Sequence, residues 1–527
     1  MLYNTRYNKS GGIKFMRKTM EKMKEKKAIT LIALIVTIAV ILILAGITVG
    51  MVTSDNGILK ETKNAKEQAE IDNEKSIVER AKMLAMMRSK NGAITYEIFE
   101  PALKDEAGKT AIDVSDAGDT IEVLFTDSNR YYEIDQDGNV SKPQKVVKDE
   151  FAGDITKGGR CDGSEEKPYE ISCVEDLVIL ANRTNRKGNY IDENGNIKDV
   201  VAENCPFEDK NFILTRTLNF ESKYSYSKPE LRWSYDSENE FYKIDDTSTT
   251  TLQEIITDKN GVGFIPIGPD TGDSARMFWG NLDGKNYSIR NLYENRTDSN
   301  AGFFGAIYGS VIKNLKISGN IIAPRIGTFA FISNGAKYYN CVNLVNCKAK
   351  KIGGLTSEVY GSITMINCYN KANISKVNKG GGLMNWDDVG GTTTIVNCYN
   401  ISEIETKNET SYDYASGIIG NSYSSGTRQI INTCSLGKIN QYGNNFYRAY
   451  GGSVVSLENC FYPKSMVANN DKAVINEGSI AFDDSTVQEV VNTLNKYVKE
   501  HKNDYEVPLK EWKIETINGE KVPVLVD

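Results

Sequence analysis

Two short phrases repeat along the middle of this chain, and this repetition restricts its fold more than any other feature. The phrase SITMINCYNKANIS at 362–375 returns as TTTIVNCYNISEIE at 392–405, an offset of 30 residues. A glycine phrase precedes each copy, as in IGGLTS at 352–357 and GGGLMN at 380–385. A period of about 20 to 30 residues with short apolar strands and Gly or Asn turns is typical of a β-solenoid. The repeats therefore predict a mainly β chain with a parallel β-helix (β-solenoid) ectodomain.

One cysteine and one asparagine recur within the phrase. Because each coil would lie about 4.8 Å from the next, equivalent side chains would stack in register. Asn367 and Asn397 would then bond to the asparagines above and below them, and small apolar cysteines would fill the interior. Metal-binding cysteines come in pairs at CxxC spacing, so a structural stack is favoured over a thiolate metal site or a reactive thiol. The cysteines predicted in this stack are Cys341, Cys368, Cys398, Cys434 and Cys460.

These phrases resemble the GLUG-motif repeats, GGL followed by NCYN, of surface proteins from Gram-positive bacteria. The resemblance implies a β-solenoid over 153–462 and is strongest at 352–400. Some members of that family are adhesins and some are attached to a zinc peptidase, whose histidines are absent from this chain. The ends of a solenoid need caps, and a helix at 174–182 would supply the first. A C-terminal cap over 463–527, with a helix at 485–498 and the final strand VPVLV, would supply the second.

A long apolar segment lies near the start of the chain. Residues 28–52 carry no charged side chain, and at about 1.5 Å per residue they can cross the roughly 30 Å hydrocarbon core of a bilayer. The run is too long for an ordinary signal peptide, whose apolar part has about 7 to 15 residues. Lys and Arg crowd its N-terminal side, which predicts N-terminus inside and C-terminus outside. We expect a basic cytoplasmic leader at 1–27, a single-pass transmembrane helix at 28–53 and a cell-surface ectodomain.

The segment KKAITLIALIVTIAVILILAGIT resembles the N-terminal segment of type IV prepilins and pseudopilins of Gram-positive bacteria. In that family a peptidase cuts after a Gly, the new N-terminus is methylated, and a Glu five residues into the mature helix aids filament assembly. On this sequence the cleavage position falls on Ala28, the new N-terminus on Ile29 and the Glu position on Ala33. Ala stands at both departures from the family pattern, so membrane anchoring is the safer expectation and pilus or pseudopilus subunits are further expected partners.

The region after the apolar segment follows the order of a pilin-like subunit. Residues 60–87 show the apolar stripe of an amphipathic helix. Alternating runs at 121–125 and 131–134, separated by turn residues, predict two strands. The DQDGN segment at 135–139 indicates a hairpin turn and not a calcium loop, because the bidentate Glu of such a loop is missing. A helix extension and a small α+β pilin-like domain are therefore expected over 54–148.

Composition excludes several functions. The net charge is −7 at pH 7 and the basic residues gather beside the apolar segment, which argues against a nucleic-acid partner. The single histidine, His501, excludes an HExxH zinc site and argues against Ser-His-Asp or Cys-His catalysis. No pattern indicates a catalytic residue, a metal site or a cofactor.

Two inserts between the repeats, at 406–425 and 441–451, are rich in Tyr, Ser, Asn and Gly, and the segment NWDDVGG at 385–391 adds one Trp and two Asp. This is also the composition of adaptable recognition loops, and aromatic rings suit sugar or protein surfaces. Ordinary polar loops over a repeat core explain the same composition, and both interpretations stay open. The first predicts a host, cell-wall or glycan ligand. The candidate ligand-facing residues are Trp386, Asp387, Asp388, Tyr412, Tyr414, Tyr423, Tyr442 and Tyr447.

Three functions compete. The favoured one is a membrane-anchored, pilin-like, non-enzymatic surface protein that displays the β-solenoid for adhesion or interaction. The second is a minor pseudopilin of a type II secretion or type IV pilus machine, with the ectodomain as a tip or cargo module. The third is a polysaccharide-active β-helix enzyme, which needs clustered carboxylates. Asp387 and Asp388 are adjacent and would point to opposite faces of a strand, which disfavours the third.

Overall fold

The computed structural model describes most of the chain after the apolar segment. The chain forms two compact units, Met1–Ala111 and Ile112–Asp527. Residues 1–57, which include the predicted leader, the predicted transmembrane helix, Ala28 and Ile29, lie outside the described residues. Among the helices that are described, none is both long enough and apolar enough to cross a bilayer. The described residues are 58–526 with gaps at 90–92, 136, 147–154, 158, 193, 204, 270–273, 375–376, 388–390, 405–413, 423–425, 440–442, 450–453 and 468–472.

Two helices form the described part of the first unit. Helix α1 (Ile58–Arg88) and helix α2 (Tyr96–Ala107) pack against each other. An ion pair joins them, with Arg80 Nε 2.8 Å from Glu106 Oε2. The apolar stripe of α1 is buried where the 3.6-residue period puts it, for example at Ile77. Burial of that stripe, and not helix propensity alone, stabilises a helix of this kind.

An antiparallel sheet of four strands opens the second unit. Its strands are neighbours in sequence order, so short turns connect them. The turn after the third strand is built by Asp135, whose carboxylate accepts hydrogen bonds from the backbone and side-chain N–H groups of Asn139 at 2.7 and 2.9 Å. Gly138 supplies the left-handed backbone there, with φ 81°. The strands of this small sheet are β1 (Ile112–Asp116), β2 (Thr120–Phe125), β3 (Arg130–Asp135) and β4 (Gln144–Lys145).

The largest part of the second unit, residues 169–482, is a winding of short strands that we name the coil stack. Among the residues that the structure describes, strands make up 40% and helices 19%. The four large sheets of the stack are parallel, and two small two-stranded sheets within it are antiparallel. The prediction of a mainly β chain with stacked parallel strands is therefore confirmed. Its helices are α3 (Val174–Asn185) and α4 (Leu252–Thr257), and its strands are β5 (Tyr169–Ile171), β6 (Asn189–Ile191), β7 (Ile197–Asp199), β8 (Asn211–Leu214), β9 (Leu218–Asn219), β10 (Trp233–Asp236), β11 (Phe241–Ile244), β12 (Asn281–Asp283), β13 (Ser288–Asn295), β14 (Phe304–Tyr308), β15 (Val311–Lys313), β16 (Lys316–Ile322), β17 (Arg325–Gly327), β18 (Ala330–Asn334), β19 (Lys337–Tyr339), β20 (Val342–Lys348), β21 (Lys351–Gly353), β22 (Thr356–Tyr360), β23 (Ile363–Ile366), β24 (Tyr369–Asn370), β25 (Lys379–Gly381), β26 (Met384–Asp387), β27 (Thr392–Val396), β28 (Tyr399–Asn400), β29 (Tyr414–Ser416), β30 (Ile419–Ser422), β31 (Thr427–Ile431), β32 (Cys434–Ser435), β33 (Tyr447–Ala449), β34 (Val454–Glu458), β35 (Cys460–Pro463) and β36 (Ser479–Phe482).

Four sheets form the walls of the coil stack. In a complete coil the chain passes through one strand of each sheet. For example, β15 lies in sheet 1, β16 in sheet 2, β17 in sheet 4 and β18 in sheet 3. Each strand then pairs in parallel with the equivalent strand of the next coil. Sheet 1 has the order β5-β8-β12-β15-β19-β23-β27-β31-β34, sheet 2 the order β9-β13-β16-β20-β24-β28-β32-β35-β36, sheet 3 the order β14-β18-β22-β26-β30-β33, and sheet 4 the order β17-β21-β25-β29.

An asparagine turns the chain from sheet 1 into sheet 2 in six successive coils. Each has a φ between 49° and 56°, the left-handed region that Asn tolerates better than most residues. The side-chain amides bond from coil to coil, as predicted for Asn367 and Asn397: Asn397 Nδ2 donates to Asn367 Oδ1 at 2.7 Å. The corner residues are Asn314, Asn340, Asn367, Asn397, Asn432 and Asn459. The asparagine ladder, as we name it, joins Asp283, Asn314, Asn340, Asn367, Asn397 and Asn432.

The two repeated phrases contact each other, which explains why they recur together. Asn370 Nδ2 donates to Gly382 O at 2.7 Å and to Asn400 Oδ1 at 3.0 Å. In the preceding coil the equivalent asparagine donates to the carbonyl of the equivalent glycine, also at 2.7 Å. A Cβ at Gly382 would lie 1.9 Å from Gly417 O. Glycine is therefore required where the asparagine approaches the neighbouring backbone.

The predicted cysteine stack lies in the interior, with one exception. Cys341, Cys368, Cys398 and Cys460 are all buried. Their thiols donate to backbone carbonyl groups, and the Cys368 Sγ lies 3.3 Å from Tyr338 O of the preceding coil. Burial raises the pKa of the Cys460 thiol to about 12. Because the thiolate is the reactive form, the raised pKa leaves Cys460 as small apolar filling.

Cys434 does not belong to this stack, contrary to the prediction. Asn432 is followed by Thr433, and the backbone N–H of Cys398 donates to Thr433 Oγ1 at 3.3 Å. Thr433 thus takes the interior position. Cys434 instead pairs with Tyr399 across sheet 2 and packs in an apolar cluster outside the stack. A shift of one residue moves a strand side chain to the opposite face.

The C-terminal segment, residues 483–526, covers the corner between sheets 1 and 2. Its apolar side chains bury a cluster with residues of both sheets. It also bonds to the asparagine ladder, since Asn397 Nδ2 donates to Lys510 O at 2.9 Å and Trp512 Nε1 donates to Asn397 Oδ1 at 2.6 Å. We expected a cap over the end of the stack, and the segment lies along its flank, where amides and apolar rings offer partners. It consists of α5 (Val487–His501), β37 (Trp512–Ile517) and β38 (Glu520–Leu525).

The small sheet covers the same side of the first coils. Asn219 and Asn291 of sheet 2 both donate to Ala117 O, at 3.1 and 2.9 Å. Ser222 donates to the buried carboxylate of Glu122 at 2.8 Å. Two separate segments of the chain thus use asparagine amides of the stack as attachment points.

Candidate functional site

The predicted ligand-facing residues divide into two groups. One group lies outside the described residues, so its role stays a prediction; the other lies on sheets 3 and 4 of the coil stack. The first group is Asp388, Tyr412, Tyr423 and Tyr442. The second group is Trp386 and Asp387 of β26, Tyr414 of β29 and Tyr447 of β33.

Asp387 faces the interior, so its prediction as a ligand-facing residue is wrong. Its side chain is 0% exposed and pairs with Arg428, whose Nε and Nη2 lie 2.8 and 3.2 Å from its two oxygens. Thr393 Oγ1 donates to the same carboxylate at 2.9 Å. Side chains alternate along a strand, and in β26 the outward position belongs to Trp386. The polar letters of NWDDVGG read as a loop because the partner, Arg428, is one coil away.

Tyr414 is also buried, which corrects its prediction as a ligand-facing residue. Only 3% of it is exposed, and burial raises the pKa of its phenol. Lys379 Nζ lies 5.3 Å and Arg448 Cζ 5.1 Å from the centre of its ring. Both distances allow a cation–π attraction. Tyr414 therefore holds two basic side chains at the surface and does not present its ring to a ligand.

Trp386 and Tyr447 lie half-buried on sheet 3. The register aligns Trp386 with Glu358 in the coil before it and with Asn421 in the coil after it. Such positions repeat about every 4.8 Å along the stack. Trp386 therefore belongs to an outward row of side chains and not to an isolated loop.

Further aromatic rings, which lie outside the predicted ligand-facing residues, extend this surface. Tyr308 and Tyr360 are 36% and 38% exposed. The Tyr308 ring stacks on Trp279 with 4.0 Å between the ring centroids. Tyr360 donates from its hydroxyl to Glu358 at 3.3 Å. These contacts hold the rings in fixed orientations, which lowers the entropy lost when a ligand binds.

A row of basic residues runs beside the aromatic rings on sheet 4. Arg325, Lys351 and Lys379 are aligned in register, and Tyr414 takes the next position. Arg325 pairs with Glu358 at 2.6 Å. Burial, together with the neighbouring charges of Lys379 and Arg325, lowers the pKa of Lys351. Within the described part of the chain, no carboxylate pairs with Lys351 or Lys379.

Sheets 3 and 4 adjoin, so these rows form one surface, which we name the aromatic-basic face. Rigid aromatic rings stack on the apolar faces of sugars, and clustered cations attract carboxylate or phosphate groups. Two carboxylates belong to its strands, Glu358 and Asp387, and each is paired with an arginine. Both carboxylates are thus held in ion pairs, while the aligned rings and cations offer stacking and charge contacts. Its members are Tyr308, Arg325, Lys351, Glu358, Tyr360, Lys379, Trp386, Tyr447 and Arg448.

A sequence signal for the basic row existed in the repeats. A basic residue stands two positions before a glycine in RIG at 325–327, KIG at 351–353 and KGG at 379–381. Side chains at equivalent positions of successive coils align. The glycine phrase therefore indicates the basic row as well as the turns.

No protein-family model matches the chain, and no curated protein matches its sequence. Within the described ranges no three His, Cys, Asp or Glu side chains are placed to hold a metal ion. The candidate site is defined by the geometry of the aromatic-basic face.

Proposed function

We propose that this chain is a non-enzymatic cell-surface protein whose coil stack, a β-solenoid, presents the aromatic-basic face to an acidic glycan. The apolar segment at 28–52 anchors it in the membrane with its N-terminus inside. The glycan belongs to a host surface or a cell wall. The single observation that carries this function is the alignment of exposed rings with basic side chains along adjoining sheets.

Charge supports an acidic rather than a neutral glycan. The whole chain carries −7 at pH 7, yet the described face holds four basic side chains, Arg325, Lys351, Lys379 and Arg448, against one outward carboxylate. That carboxylate, Glu358, is already neutralised by Arg325. A local positive surface on an acidic protein attracts anions in spite of the net charge.

Order along the chain supports the pilin-like part of the proposal. The apolar segment is followed by helix α1 and then by the antiparallel small sheet, the order that the prepilin resemblance implies. N-terminal sequencing and intact mass of protein recovered from surface fractions test this part. An N-methylated Ile29 supports processing as a pilin, whereas an uncut N-terminus confined to membranes contradicts it and leaves a single-pass anchor.

Binding by the full-length chain in detergent to immobilised acidic and neutral polysaccharides tests the main proposal. We expect Lys351→Ala with Lys379→Ala to weaken binding to the acidic polymer by about tenfold or more, because interface cations and aromatic anchors carry most of the binding energy. The matched control is Lys348→Ala with Lys513→Ala, which removes two exposed charges from sheet 2 and the C-terminal segment. Equal loss in both double variants would show only a net-charge effect and overturn the proposal.

Trp386 provides a second, independent test. Trp386→Ala removes the ring, whereas Trp386→Phe keeps an aromatic surface at the same position. We expect strong loss of binding in the first variant and partial recovery in the second, since ring stacking depends on the aromatic face. Leu344→Ala, which truncates a side chain 39% exposed on sheet 2, is the control. Unchanged binding in Trp386→Ala would remove the aromatic row from the site.

A further inference from the structure

A cleft of about 860 Å³ lies between the small sheet and the first coils, away from the aromatic-basic face. The small sheet contributes Glu133 of β3, Gln144 and Lys145 of β4 and the preceding Lys142. The coil stack contributes residues at the corner between sheets 1 and 2. These are Arg216, which lies between β8 and β9, Lys285, which lies between β12 and β13, and Arg290 of β13.

Basic side chains dominate the cleft. Five cations line it, and Glu133 is the one carboxylate among its lining residues. Arg290 Nη1 lies 3.1 Å from Glu133 Oε2, and Lys285 Nζ lies 3.1 Å from Asp283 at the rim. Burial raises the pKa of Glu133, while the charges of Arg290 and Arg216 act in the opposite direction. The five cations are Lys142, Lys145, Arg216, Lys285 and Arg290.

The cleft also contains buried polar atoms without partners. Arg216 is only 6% exposed. One of its Nη groups donates to Lys145 O at 3.0 Å and the other to the Tyr131 hydroxyl, but its Nε has no hydrogen-bond partner. Glu133 Oε1 and Gln144 Oε1 are likewise buried without a partner. Buried polar groups are almost always satisfied by protein, ordered water or ligand, so these three atoms are the positions at which a ligand in the cleft can form hydrogen bonds.

The unsatisfied atoms define the chemistry of that ligand. Arg216 Nε and the surrounding cations require an acceptor with negative charge. Glu133 Oε1 and Gln144 Oε1 require donors, which a bare oxyanion does not supply and sugar hydroxyl groups do. We propose that this cleft binds a sugar unit that carries a carboxylate or phosphate group. The oxyanion lies toward Arg216 and the lysines, and the hydroxyl groups lie toward Glu133 and Gln144.

This site is separate from the proposed function. The aromatic-basic face uses exposed rings on sheets 3 and 4, whereas the cleft uses buried polar atoms and no exposed tryptophan. Each can therefore fail without the other. The cleft fits one sugar unit or a chain end, while the face extends across several coils and fits a polymer.

Ligand-observed NMR on the full-length chain in detergent tests the cleft. The probes are glucuronate, glucose 6-phosphate, glucose and inorganic phosphate. The chain carries Trp386→Ala to suppress the aromatic-basic face. We expect saturation transfer to glucuronate, to glucose 6-phosphate or to both, and weaker transfer to glucose. Phosphate should compete only at higher concentration. The stronger of the two charged sugars identifies the oxyanion as carboxylate or phosphate.

Two variants test whether the charged sugar binds in the cleft. Lys142→Ala with Lys285→Ala removes two exposed cations of the cleft without touching a buried group, and we expect about tenfold weaker binding of the charged sugar. Gln144→Leu removes an acceptor for a hydroxyl group and should narrow the preference for the charged sugar over phosphate. The control is Lys348→Ala with Lys513→Ala, which should leave binding unchanged.

Three results would overturn the proposal. Absence of transfer to both charged sugars would leave the cleft as a space between two packed segments. Phosphate bound as tightly as glucose 6-phosphate would mean an oxyanion site without sugar recognition. Equal loss in the cleft variant and the control would assign the binding to net charge. Hydrogen exchange locates the bound sugar on the protein. The sugar should protect the backbone amides of residues 141–146 and 285–290 but not those of residues 379–387.

Discussion

The corner of the coil stack that carries the asparagine ladder and the aromatic-basic face are both rows repeated coil by coil, yet they have different surroundings. The C-terminal segment lies over the ladder, and Trp512 bonds directly to Asn397. On the face, Tyr308 and Tyr360 stay 36% and 38% exposed. Repetition alone therefore does not mark a binding surface. A repeated row becomes a candidate site where the described residues leave it uncovered.

The chemistry of the two rows accounts for this difference. Asparagine amides satisfy one another along the ladder and offer remaining donors and acceptors to any backbone that packs beside them. Basic side chains at a similar spacing repel each other, and covering them would cost solvation energy. The ladder thus favours attachment of further chain, and the aromatic-basic face favours an external anion.

The largest expected effect comes from the interior beneath the face. Asp387→Ala leaves Arg428 buried without its counter-ion, and breaking such a pair costs about 3–5 kcal/mol. The measurement is the urea midpoint of the full-length chain. Replacing both partners, Asp387→Leu with Arg428→Met, is the control and should restore much of the stability. If Asp387→Ala kept the urea midpoint of the parent chain but lost glycan binding, Asp387 would belong to the binding surface. The contrast between a structural interior and a binding face would then be wrong.

Stability measured at several pH values extends this comparison, because the interior also holds a glutamate that forms no ion pair with the described residues. Glu294 is fully buried, accepts one bond from Gly302 N at 3.3 Å, and burial raises its pKa to about 8. An unfolded glutamate titrates near about 4.3, so the native state holds the proton more tightly. Its stabilisation is complete below that pH and is lost as the pH rises through about 8.

Glu294→Gln should therefore remove a decline in stability between about pH 5 and pH 8. The decline in the parent chain is expected to be on the order of 3 kcal/mol. Urea midpoints at several pH values measure it. Glu458→Gln, at an exposed position of sheet 1, is the control. Parallel pH profiles for the parent and Glu294→Gln would show that Glu294 ionises normally inside the stack.

The asparagine ladder should give a smaller loss. Asn397→Ala removes bonds to two other ladder residues, to Lys510 O and to Trp512 Nε1, and we expect a cost of about 2 kcal/mol. Hydrogen exchange should accelerate around 508–512, where the C-terminal segment attaches. Asn346→Ala, in an exposed Asn–Asn pair, is the control. Unchanged exchange would mean that apolar packing alone holds the segment.

The smallest stability effect is expected on the face itself. Trp386 is half-buried and outward, so Trp386→Ala should lower the free energy of unfolding by about 1 kcal/mol or less. The same variant should lose glycan binding. This is the reverse of the ladder result, where stability falls and binding remains. Strong destabilisation by Trp386→Ala would place that ring among the structural residues.

Local pattern predicted much of the fold. The phrase offset of 30 residues sets the length of a coil, and an Asn that tolerates positive φ sets a corner. The positions of Asn367, Asn397 and the four cysteines of the interior stack follow from stacking of equivalent positions. Cys434 was misplaced because Thr433 occupies the position that directly follows the corner asparagine, so Cys434 stands one residue later and on the other face. A pattern read by spacing alone does not register a shift of one residue.

By itself, the sequence determined the coils, their turns and the stacking of like residues, because these depend on backbone preferences and on neighbours one period away. Only the tertiary structure decided which rows are covered. Trp512 meets Asn397 across 115 residues of chain, and Arg428 meets Asp387 across 41. No local period encodes such contacts, because they arise when distant segments compete to bury polar and apolar groups. The candidate site was therefore only half visible in the sequence: Trp386 and Tyr447 were identified, whereas the basic row beside them emerged from the register of the sheets.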